Sequence, residues 1–156
     1  MAFLRADPAL AATLFDLPPV IEIARERLSK AGLAGRVTLV PGDFDKDELP
    51  EGHDLAWLSA IIHQNSREQN EALYARIFRA LVPGGRLLVR DHVMDASRTR
   101  PRAGALFAVN MLVGTAGGGT YTFDEIRAGL ARAGFTRIRL LRSGERMDAL
   151  VEAFRP

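Results

Sequence analysis

The sequence predicts an α/β fold, a parallel sheet with helices on both faces, and three observations predict it. Strand-like and helix-like segments alternate along the chain, the order expected of β-α-β units. Two apolar runs end in Ser59-Ala60-Ile61-Ile62-His63-Gln64-Asn65 and in Gly85-Arg86-Leu87-Leu88-Val89-Arg90-Asp91. Each stops abruptly at a group capable of acid–base chemistry, and ligands of open α/β sheets bind beyond the strand ends. Finally, the 156 residues are 47% hydrophobic and 26% charged, enough for one ordinary domain with a real core and unlike a disordered chain.

Each element has a local reason. Residues 2–6 read as the tail of a helix stopped by Asp7-Pro8, and residues 11–15 as a short strand ending at Asp16. Pro18-Pro19 opens a helix over 20–31, since proline suits a first turn whose N–H groups have no helical partner. Ile21, Ala24 and Leu28 form its apolar face, and Gly32 suits its end. Residues 36–40 are a strand running into Pro41-Gly42-Asp43-Phe44. The run 55–62 is nearly continuous in its hydrophobicity, the mark of a strand covered on both faces. Residues 67–81 form an amphipathic helix with Leu73, Ile77, Ala80 and Leu81 inward. Pro83-Gly84-Gly85 turns the chain into a strand over 86–89, and 103–113 is an apolar helix. Gly117-Gly118-Gly119 reads as a flexible loop; it follows a helix, not a strand, which is the wrong context for a phosphate cradle. Thr122 and Glu125 form a capping-box pattern for a helix ending at Gly134. Final strands cover 138–141 and 149–154, and no repeat or linker divides the chain.

Composition narrows the function. The formal net charge is +2, and basic residues cluster only in Arg98-Thr99-Arg100-Pro101-Arg102, which reads as a solvated loop; no nucleic-acid partner is expected. The chain has no cysteine, and no histidine pair has metal-ligand spacing, so no disulfide or metal site is expected. No apolar run reaches membrane-span length, and Arg5 and Asp7 interrupt any signal-like start. A soluble cytoplasmic protein without a membrane partner is the expectation.

Four positions invite chemistry. Asp16 ends the first strand, where a carboxylate accepts from ribose hydroxyls; the competing role is a helix N-cap. Asp43 ends the next strand, able to accept from an adenine amino group while Phe44 stacks on the base; the competing role is a turn aspartate. His63 ends an apolar run, and an imidazole is the usual general base near neutral pH. Asp91, at the end of the adjoining run, would fix its tautomer. His53 reads as a solvated turn residue, and alternation directs His92 to the face opposite Asp91. No Gly-x-Ser-x-Gly elbow is present, which counts against a hydrolase.

Phe15-Asp16-Leu17-Pro18, Gly42-Asp43-Phe44, Ile62-His63, Leu81-Val82-Pro83-Gly84-Gly85-Arg86 and Met111-Leu112 follow one another here. In this order they resemble the S-adenosylmethionine-dependent O-methyltransferases of plant and bacterial secondary metabolism, over nearly the whole chain. The resemblance implies a Rossmann-like class I methyltransferase sheet, and S-adenosyl-L-methionine as cofactor. It implies that Asp16 binds the ribose, that Asp43 and Phe44 bind the adenine, and that His63 is the base. Asp91 stands where the family usually has a glutamate flanking the base, and Met111 where it packs a methionine on the acceptor, a small hydroxylated molecule. Ser59 stands where plant members carry a lysine near the cofactor. Gln64-Asn65 replaces the usual Asp-Trp, and Thr120 a second carboxylate.

The family's glycine-rich first motif and N-terminal dimerisation domain have no counterpart. Residues 1–156 therefore read as an N-terminally truncated catalytic domain lacking its first strand, with a homodimer implied for the full-length form. Two other readings stay open: a methyltransferase-like fragment that binds no cofactor, and an NAD-dependent dehydrogenase, which Asp16 would also suit.

Overall fold

The computed structural model describes residues 1–156, and the chain separates into two compact units, Met1–Pro50 and Glu51–Pro156. The first unit contains α1 (Ala2–Ala6), β1 (Ala12–Asp16), α2 (Pro18–Lys30) and β2 (Val37–Pro41). Strands β1 and β2 pair in parallel, with Asp16 opposite Pro41, so Asp16 and the Gly42-Asp43 turn leave the sheet at the same end. As the sequence predicts, proline occupies the first turn of α2, and Gly32 follows it with a left-handed φ of 68°. Leu4, Leu28 and Leu33 make a small core backed by Leu10, Val37 and Leu39. Arg36 ties α1 to this core: its guanidinium donates to the carbonyls of Leu4, Asp7 and Leu10.

The second unit contains β3 (His53–Ser59), α3 (Arg67–Ala80), β4 (Leu81–Asp91), β5 (Val93–Met94), α4 (Arg102–Gly114), β6 (Tyr121–Thr122), α5 (Phe123–Arg132), β7 (Thr136–Arg142) and β8 (Ala149–Phe154). Its main sheet has the order β3-β4-β8-β7, and β5 pairs with β6 in parallel. Strand β4 alternates strictly: Gly85, Leu87, Val89 and Asp91 are buried, whereas Arg86, Leu88 and Arg90 are not. Helices α3 and α5 pack together and onto β4 and β7, burying Leu73, Ile77, Ile126 and Leu130. Both helices begin with a complete capping box, Ser66/Gln69 and Thr122/Glu125.

The structure corrects four expectations. The sheet is mixed: β8 runs antiparallel to β4 and β7, because the connection 143–148 is too short for a parallel crossover of about a dozen residues or more. The run 55–62 is not one strand. It stops at Ser59, where Ala60 takes a left-handed φ of 59° and donates its N–H to Arg90 O, and Ile62–Gln64 form a 3-10 turn. Nor is that strand covered on both faces, since Trp57 is 42% exposed. Pro83-Gly84-Gly85 does not precede β4 but lies inside it as a bulge. The pairing moves from His53↔Leu81 to Leu55↔Arg86, and Gly84 absorbs the excess at a φ of 82°. No helix is long and apolar enough to cross a membrane.

Candidate active site

Strands β3 and β4 are parallel neighbours, so the chain leaves both at the same sheet edge. His63 sits four residues beyond the end of β3, on the 3-10 turn, and Asp91 is the last residue of β4. Alternation places Asp91 on the same buried face as Leu87 and Val89. His63 Nδ1 lies 3.0 Å from Asp91 Oδ1 and 2.9 Å from Oδ2, with the two residues only 6% and 1% exposed. The second carboxylate contact is completed by the chain itself, since His92 N–H donates to Asp91 Oδ1 at 2.7 Å. A carboxylate on Nδ1 fixes the neutral ring with its proton there and its lone pair on Nε2. Such a ring accepts a proton from a bound group and is then stabilised as imidazolium by the carboxylate.

Phe107 of α4 meets the His63 ring edge-on, with centroids 4.9 Å apart at 83°, and also contacts His92 at 5.1 Å. His92 therefore does not point away from Asp91, as strand alternation predicts; β4 has ended at Asp91, and the next residue is free of the pleat. His53 is likewise not a solvated turn residue but opens β3, half-buried. Sequence reasoning missed Phe107, although its position one helical turn before Met111 puts both on one face of α4.

The glycine triplet is not a free loop. Gly119 N–H donates to His63 O at 2.9 Å, and Gly118 N–H to Thr115 Oγ1 at 2.8 Å. A Cβ at Gly118 would stand 2.4 Å from His63 O, so only glycine lets this backbone pack on the His63 turn. Thr120 is buried and offers its backbone carbonyl to Arg98 at 3.1 Å. Arg98 also pairs with Glu125, so the basic cluster is exposed but anchored at this residue.

Ser59 is opposite Arg90 in the β3/β4 register, on the face opposite Asp91, and its Oγ accepts from Arg90 Nη1 at 3.0 Å. In the first unit, Leu17 N–H donates to Asp16 Oδ1 at 2.8 Å; Leu17, not Asp16, is the N-cap of α2. Asp43 takes up turn chemistry: its Oδ1 accepts from Asp45 N–H at 3.0 Å, and Lys46 pairs with Oδ2 at 2.8 Å. Phe44 is half-buried beside it.

The comparison with known proteins decides the family. The O-methyltransferase domain family matches residues 1–136. The chain belongs to that family. It is 39% identical over 138 residues to the 3-hydroxy-5-methyl-1-naphthoate 3-O-methyltransferase of Streptomyces sahachiroi, covering 88% of this chain and 40% of the relative. The mitomycin 7-O-methyltransferase MmcR superposes with a TM-score of 0.88 at 35% identity, over 99% of this chain and 46% of that one. Human N-acetylserotonin methyltransferase in complex with SAM gives a TM-score of 0.86 at 30% identity, over 97% of this chain and 42% of that one. This O-methyltransferase domain thus spans about two-fifths of the length of the curated relatives it matches.

His92 is expected to make the stability of the O-methyltransferase domain depend on pH. It is 5% exposed, and its Nδ1 has no hydrogen-bond partner. Burial pushes the ring below its ordinary pKa of 6.5, against the opposing pull of the Asp91 charge. Below that pH the unfolded chain takes up a proton that the folded one refuses. The cost arising at His92 is therefore expected to be absent above about pH 6.5 and to grow, with a decline in stability, as the pH falls toward the depressed folded-state value. His92→Leu is expected to flatten this decline, read as urea midpoints at pH values on either side of the ordinary one. An equal decline in variant and wild type would assign the effect to other groups.

Proposed function

We propose that this domain serves S-adenosylmethionine-dependent O-methylation of a small phenolic or polyketide-like metabolite, with His63 as general base and Asp91 as its orienting partner. The observation that carries this reading is the buried His63–Asp91 pair, Asp91 ending β4 and His63 on the turn that follows its parallel neighbour β3. A phenol ionises near pH 10, so at neutral pH its proton must leave as the methyl arrives. His63 Nε2 takes that proton, while the negative Asp91 offsets the imidazolium charge on the far side of the ring. Met111 and its neighbours on α4 would shape the apolar wall of the acceptor pocket. The name of the Streptomyces sahachiroi relative, which specifies a hydroxynaphthoate, supports a hydroxylated aromatic acceptor.

The residues fit the cofactor by their chemistry. Leu17 N–H engages Oδ1 of Asp16, so the carboxylate keeps a second oxygen for ribose hydroxyls at the end of a parallel strand. Asp43 and Phe44, just beyond β2, would meet the adenine; Ser59, at the end of β3, is a separate candidate for a cofactor contact. When bound, S-adenosylmethionine supplies a methyl group activated by its sulfonium. The relative solved with SAM supports this cofactor. Calorimetric titration with S-adenosylhomocysteine tests the reading, and saturable heat at one site per chain is expected. A correctly folded protein that gives no heat would overturn it in favour of a methyltransferase-like fold that binds no cofactor.

A further inference from the structure

The turn that carries His63 is held by donors from three other elements. Ile62 O accepts from Asn70 Nδ2 of α3 at 2.8 Å. His63 O accepts from Gly119 N–H of the glycine loop at 2.9 Å. Asn65 O accepts from the Tyr121 hydroxyl of β6. The Asn65 side chain closes the network by donating to Asn70 Oδ1 at 3.1 Å. Asn65, Asn70 and Tyr121 are all buried.

Buried carbonyls left without donors cost free energy, so a fully satisfied network holds one backbone arrangement. Here the arrangement fixes the carbonyls on either side of the base and that of the base itself. Asp91 binds the ring at Nδ1 and Phe107 packs on its edge, and where the turn places Cα sets the remaining freedom of Nε2. Burial raises the Tyr121 phenol above its ordinary value, which keeps it a donor throughout the neutral range.

We propose that Tyr121 and Asn70 are positioning residues for the His63 base, acting through the Asn65 and Ile62 carbonyls, an inference that rests on the proposed role of His63. Tyr121→Phe removes one hydroxyl and no ring volume. In the active enzyme it is expected to lower kcat roughly ten- to hundredfold, the range that a base displaced by a fraction of an ångström to an ångström produces. The KM values for cofactor and acceptor should stay unchanged, and the acid limb of the kcat–pH profile should move. In the proton NMR spectrum, the downfield His63 Nδ1–H resonance should shift or broaden. A merely structural hydroxyl would lower the melting temperature and leave the pH profile and that resonance where they were. His63→Ala is measured alongside. If His63→Ala is slow while folded Tyr121→Phe turns over like wild type, the positioning inference alone fails. If His63→Ala is as fast as wild type, the base reading fails and takes this inference with it. Should Tyr121→Phe not fold, Asn70→Ser is read the same way. Loss of the fold in both overturns the inference, since residues needed for folding itself are not positioning residues.

Discussion

Replacing His63 with alanine is expected to slow methyl transfer in the active enzyme by roughly 10²–10⁴-fold, the contribution of a well-placed general base. Affinity for S-adenosylhomocysteine should be unaffected, because the base acts on the acceptor and not on the donor. Single-turnover rates separate these two quantities. Asp91→Asn should cost less, because the amide oxygen still accepts from Nδ1 while the charge that stabilises the imidazolium is lost. The smaller loss is also expected because Asn keeps an acceptor for the His92 N–H that Asp91 Oδ1 now binds. Equal losses for the two variants would mean that the imidazole contributes nothing as a base without the Asp91 charge.

The second large effect belongs to the other unit. Asp16→Ala is expected to weaken S-adenosylhomocysteine binding roughly tenfold to over a hundredfold, since a hydrogen bond to a charged acceptor contributes about 1.5–3 kcal/mol. The side-chain bond lost in the folded protein is the short-range one from Leu17 N–H, so the variant should keep its fold. Asp43 is a poorer probe, because its carboxylate holds the turn after β2 through Asp45 and Lys46. An unchanged dissociation constant in folded Asp16→Ala would remove the ribose assignment.

Much of this architecture was legible because its determinants are local. Pro18-Pro19 and Gly32 bound α2, and Thr122 with Glu125 starts α5, each through chemistry that needs no tertiary partner. The His63–Asp91 pair was legible for a different reason. Two apolar runs leading to titratable groups bring the chain to one sheet edge when the strands are parallel neighbours, as β3 and β4 are, although His63 reaches Asp91 from the 3-10 turn after β3. What stayed hidden depends on contacts remote in sequence. Nothing local marks Ala60 as left-handed; its N–H is held by Arg90 O across the sheet. The glycine triplet reads as flexible in isolation and becomes a close-packed support only once His63 O lies against Gly118. Phe107 and His92 meet through α4, which strand alternation cannot anticipate. The antiparallel course of β8 was readable from its short connection to β7 and follows from chain length alone.

A series of phenolic acceptors graded in acidity reads the base directly. The single-turnover ratio of wild type to His63→Ala should be largest for the least acidic phenol, whose proton must be removed during transfer. It should fall toward unity for acceptors already ionised at the assay pH, where alignment alone suffices. A ratio that stays constant across the series, large or small, would contradict a proton-accepting role for His63 Nε2 and leave the imidazole as part of the pocket wall.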